Sequence, residues 1–489
     1  MTQSPARSAA PSSVSKSDEI VIRVLIVSAF TVILNETIMG VAIPHLKADL
    51  GITTVLAQWL TAAFLLTMAI VIPITGFLLQ RFPTRPLYIV AMSLFAAGTL
   101  LAACAPGFEV LLAARVVQAC GTAVMLPLLM TTVISIVPEH ERGKRMGTIG
   151  MVISVAPAIG PTISGLILAV LPWRFLFIFV MPVAITALVF GILKMRSTNE
   201  PEPTRMDVLS VALSALGFGG IVFGLSRIGE SAEGGVGGAL VAVGVGVVAL
   251  ALFVWRQLVL QRRDEALLDL RVFRSRTFAL ACAMFIVCMM GLFSGIMLLP
   301  LYTQDVLGLS VLASGLMLLP GGLAMGLLAT PIGSAYDRIG PRPLLIPGTI
   351  LLTVALGMLA LTLTATTPWW VVLAGHVTMS LGLALVFTPL FSASLGSLPK
   401  RLYSHGSAMV STLQQVAAAA GTALFVSILA AVMLSGLEAG EAEAVAYSDG
   451  VRAAFLVGTI LAAGGIVLAL FVTRPESAEG EGEGPILAH

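Results

Sequence analysis

The chain has 489 residues, of which 58% are hydrophobic and only 11% are charged. Soluble domains carry about 25% charged residues, so this composition excludes a cytosolic enzyme and a disordered chain. The formal net charge of +2 excludes a nucleic-acid-binding protein, whose signature is a strong basic excess. Together with a mean hydropathy of +1.02, these values favour a protein of the lipid bilayer.

Apolar runs long enough to cross a bilayer recur along the whole chain. A hydrocarbon core of about 30 Å needs about 20 apolar residues in a helix, and fourteen such runs are present. They cover residues 20–44, 55–79, 87–106, 109–137, 147–170, 174–194, 208–228, 236–258, 277–301, 311–335, 343–366, 369–397, 405–435 and 451–473. The sequence therefore predicts an all-α, multi-pass membrane protein with a disordered N-terminus (1–19) and a disordered tail (474–489).

The basic residues orient these spans. If the N-terminus is cytoplasmic, 22 of the 27 Lys and Arg residues fall on the cytoplasmic side. Only Lys47, Arg174, Arg227 and Arg452 fall on the other side, and Arg115 lies inside a span. Because cytoplasmic loops of membrane proteins are enriched in Lys and Arg, the sequence predicts a cell-membrane protein with both termini in the cytoplasm.

The chain also contains an internal repeat. Residues 76–87 match residues 333–344, so that Arg81 corresponds to Arg338 and Arg85 to Arg342, each pair 257 residues apart. The repeat predicts two six-helix bundles, at 20–196 and 277–473, with helices 7 and 8 inserted between them at 208–260. Paired bundles of this kind are typical of transporters whose substrate site lies near the membrane midplane between them.

Four motifs carry a resemblance to a known family. The loop after span 10 reads Gly333-Ser-Ala-Tyr-Asp-Arg-Ile-Gly-Pro-Arg342, span 4 contains Arg115-Val-Val-Gln-Ala-Cys-Gly-Thr-Ala123, span 5 contains Ala156-Pro-Ala-Ile-Gly-Pro-Thr-Ile-Ser-Gly165, and span 1 contains Leu34-Asn-Glu-Thr37. In this order and on these spans, they resemble the major facilitator superfamily. The branch they resemble is that of the fourteen-span drug:proton antiporters, and the Asn-Glu pair is similar to its lincomycin-export subgroup.

The resemblance implies two sets of residues that act in conformational change. In the loops they are Asp337, Arg338 and Arg342, with Arg81 and Arg85 in the first copy. That first copy departs from the family pattern at Gln80 and Pro83, so the gating role is assigned to Asp337 with Arg338. In span 5, small and kinking residues form a hinge or seal between the halves, or serve tight packing alone: Pro157, Gly160, Pro161 and Gly165.

Glu36 is the only carboxylate deep within a predicted span, and Arg115 is the only basic residue there. A buried charge in a membrane is usually paired, protonated or exposed to water. Burial raises the pKa of a carboxyl group and a nearby cation lowers it, so a site that alternates between these settings can carry a proton. We expect Glu36 and Arg115 to couple transport to protons. The alternative is that both residues are structural.

The predicted substrate cavity is lined by polar groups within the spans. Gln118 and Thr122 share one face of span 4 with Arg115, because residues three or four apart are neighbours on a helix. Asn35 lies in span 1, and Gln414 and Gln415 lie in span 13. These side chains can bind a substrate by hydrogen bonding in an otherwise apolar site.

These features predict a proton-coupled exporter of hydrophobic or amphiphilic small molecules that works by alternating access. No cofactor and no metal are expected, the partners are substrate, protons and the bilayer, and the chain is expected to act as a monomer. Three alternatives remain open. They are an exporter or flippase of an endogenous lipid, a nutrient symporter, and a polytopic membrane enzyme, for which no cluster of His, Asp or Ser is present near one membrane face.

Overall fold

The computed structural model describes residues 15–52, 54–199, 201, 206–230 and 237–473. Their secondary structure is helical, without strands in these ranges. The long helices are α1 (Lys16–Leu50), α2 (Thr54–Arg81), α3 (Thr84–Ala103), α4 (Phe108–Ile136), α5 (Arg142–Leu168), α6 (Arg174–Lys194), α7 (Val208–Glu230), α8 (Gly237–Leu260), α9 (Arg276–Asp305), α10 (Val311–Ile339), α11 (Arg342–Thr362), α12 (Trp369–Gly396), α13 (Tyr403–Glu438) and α14 (Glu443–Ala469).

Within the described ranges, fourteen helices are long and apolar enough to cross a membrane, which confirms the predicted number of spans. The first helix begins at Lys16, four residues before the predicted span. The hydroxyl of Ser15 accepts a hydrogen bond from the backbone N–H of Asp18, and acidic residues in a first turn are favoured by the helix dipole. Residues 1–14 of the predicted disordered N-terminus (1–19) and the predicted tail 474–489 lie outside the described residues, whereas residues 16–19 form the first turn of α1.

The two six-helix bundles, α1–α6 and α9–α14, repeat the same internal contacts. Asp49 at the end of α1 accepts a hydrogen bond from Trp173 Nε1 at 2.7 Å, beside the start of α6. Its repeat partner Asp305, at the end of α9, accepts one from Tyr447 Oη in α14 at 2.9 Å. In both bundles an acid thus joins the first helix to the last, so the repeat in the sequence is a repeat of structure.

The arginines that the repeat aligns, Arg85 and Arg342, also make equivalent contacts in the two bundles. Arg85 donates to the carbonyl of Ile192 at 2.8 Å, and Arg342 donates to the carbonyl of Val472 at 3.1 Å. Each arginine therefore binds the start of the third helix of its bundle to the end of the last helix.

The inserted helices α7 and α8 form a hairpin that packs through glycines. A Cβ atom at Gly220 would lie 3.1 Å from the Cα atom of Gly246. At one end of the hairpin, Arg256 donates two hydrogen bonds to the carboxylate of Asp207, at 2.5 and 2.8 Å. These bonds hold the pKa of Asp207 well below its usual range. Helix α7 contacts both α2 and α13, so the hairpin bridges the two halves of the molecule.

We call the end of the molecule at which α1 begins the basic end, because the loops there carry most of the basic residues. Arg145 at the start of α5 forms an ion pair with Glu19 at 2.7 Å, and Arg196, just after α6, pairs with Asp18. These pairs bring the start of α1, the start of α5 and the end of α6 to the same side, as alternating spans require.

The halves meet most closely where α5 packs against α10, a contact that we call the seam. Glycines allow the two backbones to approach. A Cβ atom at Gly147 would lie 2.3 Å from the carbonyl oxygen of Ala329, and one at Gly322 would lie 2.1 Å from Ala158 Cβ. The seam therefore extends from the basic end toward the middle of α5.

Candidate functional site

The turn of α1 that carries Glu36 is fixed against α5. A Cβ atom at Gly160 would lie 2.2 Å from the hydroxyl oxygen of Thr37, so this close approach requires glycine. One turn further along α5, Ser164 donates a hydrogen bond to the carbonyl of Ile38 at 2.9 Å. The two contacts are made at Thr37 and Ile38, the two residues that follow Glu36, and set the position of this turn relative to α5.

The side chains of Asn35 and Glu36 occupy different environments. Asn35 is 3% exposed, and its amide nitrogen has no hydrogen-bond partner among the described residues. Glu36 as a whole residue is only partly buried. Glu36 lies about 21 Å along the helix axis from the end of α1, well inside the membrane-spanning part.

Arg115 is fully buried in α4, and its guanidinium has three neighbours. It donates to Gln118 Oε1 at 2.6 Å and to the carbonyl of Leu60 at 3.4 Å. It also lies 4.0 Å above the ring of Phe64, where the electrons of the ring attract a cation. Arg115 and Glu36 interact electrostatically. In the described residues they form no ion pair, so the structure brings the predicted partners near each other without direct contact.

The other predicted cavity residues fall into two groups. Gln118 and Thr122 are buried, and Thr122 donates its hydroxyl to the carbonyl of Gln118 at 3.0 Å. Gln414 and Gln415 lie on α13 in the second half and are partly buried. The amide nitrogen of Gln414 is buried and has no hydrogen-bond partner in the ranges that the structure describes.

The span-5 motif forms one continuous helix. Pro157 and Pro161 lie inside α5, whose bounds they do not interrupt. The two glycines of the motif differ. Gly160 is pressed against Thr37, whereas a Cβ atom at Gly165 would meet nothing within 4 Å. One glycine therefore serves a close contact between helices, and the other does not.

Asp337 joins the two halves at the basic end. Its carboxylate accepts hydrogen bonds from the backbone N–H groups of Gly143 at 2.7 Å and of Lys144 at 2.9 Å. The first residues of a helix have unsatisfied N–H groups and a positive dipole end, so an acid from the second half caps α5 of the first half. The neighbouring Arg338 is exposed.

The first copy of this loop binds differently. Gln80, which replaces the acid, donates to the carbonyl of Arg401 at 3.3 Å, close to the start of α13. Arg81 and Arg85 are exposed. Both loops thus contact the opposite half, but only the second does so with a charged group on a helix terminus.

The hydrogen bonds that join the halves among the described residues lie at the basic end. Besides those of Asp337 and Gln80, Thr131 and Ser407 are hydrogen bonded at 2.6 Å. The bonds at the opposite end, such as those of Asp49 and Asp305, stay within one half. The described contacts therefore close the molecule at its basic end.

Two features of the site were missed by the sequence analysis. The first is the contact of Thr37 with Gly160 together with the hydrogen bond from Ser164 to the carbonyl of Ile38, which fix the Glu36 turn. The second is Thr99 of α3, which accepts a hydrogen bond from Gln118 Nε2 at 2.8 Å. A hydroxyl group inside an apolar span is the only signal that could have indicated either, because a buried hydroxyl needs a partner.

An apolar crevice opens between α1, α5 and α6. Its volume is ≈ 170 Å³, which is below the range of about 300–1,000 Å³ typical of drug-sized pockets. Its lining includes Phe30, Leu34, Ile159, Ile163 and Phe179. Within the described ranges, no three His, Cys, Asp or Glu side chains are grouped so that they could hold a metal ion.

Comparison with known proteins agrees with this architecture. Residues 25–422 match the family model of the Major Facilitator Superfamily. The chain is 40% identical over 459 residues to "Lincomycin resistance protein LmrB" of Listeria monocytogenes, covering 93% of this chain and 96% of the relative. It is 30% identical over 397 residues to "Multidrug resistance protein B homolog" of Mycobacterium tuberculosis H37Rv, covering 81% and 73%.

Among solved structures, the human organic anion transporter MFSD10 (TETRAN) superposes with a TM-score of 0.64 at 17% sequence identity. The match covers 92% of this chain and 99% of that one, and it supports the fold. The extent of the family match and the identity to the relatives confirm the resemblance that the motifs predicted. The chain therefore belongs to the Major Facilitator Superfamily and is a membrane transporter rather than an enzyme.

Proposed function

We propose that this transporter exports hydrophobic or amphiphilic small molecules, drugs among them, in exchange for protons. The observation that carries the proposal is the double role of α5. One face of α5 holds the Glu36 turn through Gly160 and Ser164, and its contacts with α10 form the seam between the halves. Glu36 lies on α1, which packs against α5, and α5 forms part of the interface between the halves. A change of charge at Glu36 therefore occurs next to a helix of that interface.

We further propose that the basic end is cytoplasmic, as the distribution of Lys and Arg favours, and that one chain forms a complete transport unit. The described conformation is then closed toward the cytoplasm. Protonation of Glu36 from outside removes its charge and its attraction to Arg115. The transporter can then open inward, where substrate binding favours release of the proton.

The names of the relatives support the choice of cargo. A protein 40% identical to this chain is called a lincomycin resistance protein, and one 30% identical a multidrug resistance protein homolog. Unpartnered amide groups on Asn35 and Gln414 provide hydrogen-bond donors in otherwise apolar surroundings. These features suit an amphiphilic molecule such as lincomycin, which we take as the probe.

The test is uptake of labelled lincomycin into proteoliposomes under an imposed pH gradient, acidic inside. One pH unit supports up to about tenfold accumulation per exchanged proton, because about 1.4 kcal/mol corresponds to a factor of ten. We expect wild-type protein to accumulate lincomycin and Glu36→Gln to lose the accumulation. Glu109→Gln is a matched control, since Glu109 is an exposed acid in the first turn of α4. Full accumulation by Glu36→Gln would refute the coupling role.

A second candidate cargo is an endogenous lipid. The apolar crevice between α1, α5 and α6 favours it, because the crevice is lined by residues such as Phe30 and Phe179 and suits a hydrocarbon chain. The same proteoliposomes can be prepared with a fluorescent phospholipid in one leaflet. Proton-driven movement of this lipid without movement of lincomycin would favour the second candidate.

A further inference from the structure

The guanidinium of Arg115 binds other groups in place of the Glu36 carboxylate. A buried guanidinium close to a carboxylate normally binds it, because charge-assisted hydrogen bonds are the strong ones. Here its strongest contact is with the neutral oxygen of Gln118, at 2.6 Å. Among the described residues it also contacts the carbonyl of Leu60 and the ring of Phe64, both on α2. Arg115 is therefore held toward α2 and its own helix.

Thr99 fixes the orientation of the Gln118 amide. The hydroxyl of Thr99 has one proton, which it donates to the carbonyl of Phe95 at 2.7 Å. Toward Gln118 it can therefore only accept, and the amide nitrogen must face Thr99, at 2.8 Å. The amide oxygen then faces Arg115. In the reverse orientation the amide NH₂ group would face a guanidinium, which has donors only.

The backbone around this pair is rigidly packed. A Cβ atom at Gly98 would lie 2.6 Å from the backbone nitrogen of Gln118, and one at Gly121 would lie 2.3 Å from the carbonyl oxygen of Ala91. Because α3 and α4 are in such close contact, the Thr99 hydroxyl has a fixed position relative to Gln118. The hydrogen-bonded chain from Phe95 through Thr99 and Gln118 to Arg115 is thus preorganised.

The charged groups around this chain are few. Among the described residues, Glu36 on α1 is the charged group that acts electrostatically on Arg115, and Arg115 is the one that acts on Glu36. The contacts from α2 and α3 are neutral: a carbonyl, an aromatic ring and a hydroxyl. The balance between Arg115 bound to Gln118 and Arg115 bound to Glu36 therefore decides how strongly the carboxylate is stabilised.

We propose that Thr99 is a positioning residue of the proton-coupling site, which orients the Gln118 amide so that it holds Arg115 away from Glu36. This inference rests on the proposed proton-coupled function. In the described conformation Arg115 is bound by the amide, so Glu36 is available to a proton. When the amide is not oriented, Arg115 is released to bind Glu36, and the carboxylate resists protonation.

The test compares Thr99→Val with Thr99→Ser. Valine has the shape of threonine but cannot accept a hydrogen bond, whereas serine keeps the hydroxyl. The readout is the pH dependence of proton-driven lincomycin accumulation, measured at constant pH difference across the membrane. An opposite charge within about 4–6 Å lowers the pKa of a carboxyl group by about 1–3 units. We therefore expect Thr99→Val to move the midpoint of the profile to lower pH by about one unit or more, with Thr99→Ser at the wild-type position.

Lincomycin exchange at equal pH on both sides serves as the control for folding, because exchange needs an intact binding site but no net proton movement. If Thr99→Val loses exchange as well, Thr99→Ala decides, since it removes the same hydrogen-bond acceptor with a smaller side chain and should shift the profile in the same direction. A variant that retains exchange and has the wild-type profile overturns the inference.

The two hypotheses fail in different ways. If Glu36→Gln abolishes accumulation but Thr99→Val and Thr99→Ala have the wild-type pH profile, only the role of Thr99 is refuted. If Glu36→Gln accumulates lincomycin normally, the coupling role of Glu36 itself is refuted. A pH profile that is shifted in Thr99→Val but not in Thr99→Ser supports both the coupling role of Glu36 and the positioning role of Thr99.

Discussion

Gly160 offers the sharpest test of how the Glu36 turn is positioned. In Gly160→Ala the new methyl group would lie 2.2 Å from Thr37 Oγ1 and 3.0 Å from Thr37 Cβ. Ordinary carbon–oxygen contacts are about 3.3–3.6 Å, so α5 and α1 must separate by about 1 Å or the side chain must move. Overpacking of this kind costs about 1–3 kcal/mol.

The matched control lies five residues away in the same motif. Gly165→Ala meets nothing within 4 Å, and alanine is favoured over glycine inside a helix by about 1 kcal/mol. We expect thermal unfolding in lipid nanodiscs to show Gly160→Ala as destabilised and Gly165→Ala as unchanged or more stable. Proton-driven lincomycin accumulation should fall in the first variant only.

A double mutant separates this steric effect from other causes. Thr37→Gly removes both atoms that the new methyl group would strike, and the next atom is the carbonyl carbon of Thr37 at 3.6 Å. In a double-mutant cycle the pair should therefore show a favourable coupling energy of about 1 kcal/mol or more. Equal effects of Gly160→Ala and Gly165→Ala, or a coupling energy near zero, would refute this explanation of the contact.

Two further predictions concern the ends of the helices. Asp337→Ala removes the acceptor of two backbone N–H groups at the start of α5, and losing a helix cap costs about 0.5–2 kcal/mol. Spin-label distances across the basic end should therefore shift toward open, and an unchanged distribution would contradict the capping role. Arg256→Met removes both hydrogen bonds to Asp207, and bonds to charged groups contribute about 1.5–3 kcal/mol. Because those bonds hold the pKa of Asp207 well below its usual range, their stabilisation is complete above about pH 5 and is lost progressively as the pH falls from there to the lowered pKa. The difference in melting temperature between wild type and Arg256→Met should be constant from pH 7 to about pH 5 and shrink steadily below about pH 4, whereas a difference that stays constant down to about pH 2 would exclude this cause.

The number and order of the spans were predictable from sequence because the bilayer imposes them. A helix that crosses about 30 Å of hydrocarbon needs about 20 apolar residues, and each such run was visible. The repeat was equally informative, since Asp49 with Asp305 and Arg85 with Arg342 make equivalent contacts in the two bundles. Only details at the ends differed, such as the start of α1 at Lys16.

The internal arrangement of the site was less predictable because it depends on contacts between helices. The sequence indicated that Glu36 and Arg115 are the charged pair within the spans, but not that Arg115 binds Gln118 instead. That choice depends on Thr99, which lies on another helix and donates its own proton elsewhere. Likewise, Gly160 and Gly165 look equivalent in the motif, and only the position of Thr37 distinguishes them.

The central claim, that substrate and protons are exchanged through Glu36, is tested most directly in the reverse direction. Proteoliposomes that contain a pH-sensitive dye and lincomycin are diluted into lincomycin-free buffer without a pH gradient. Because coupling is reciprocal, outflow of lincomycin should drive protons inward and acidify the interior. The account predicts acidification with wild-type protein and none with Glu36→Gln. Equal acidification with both proteins, or lincomycin outflow without proton movement in the wild type, would contradict it.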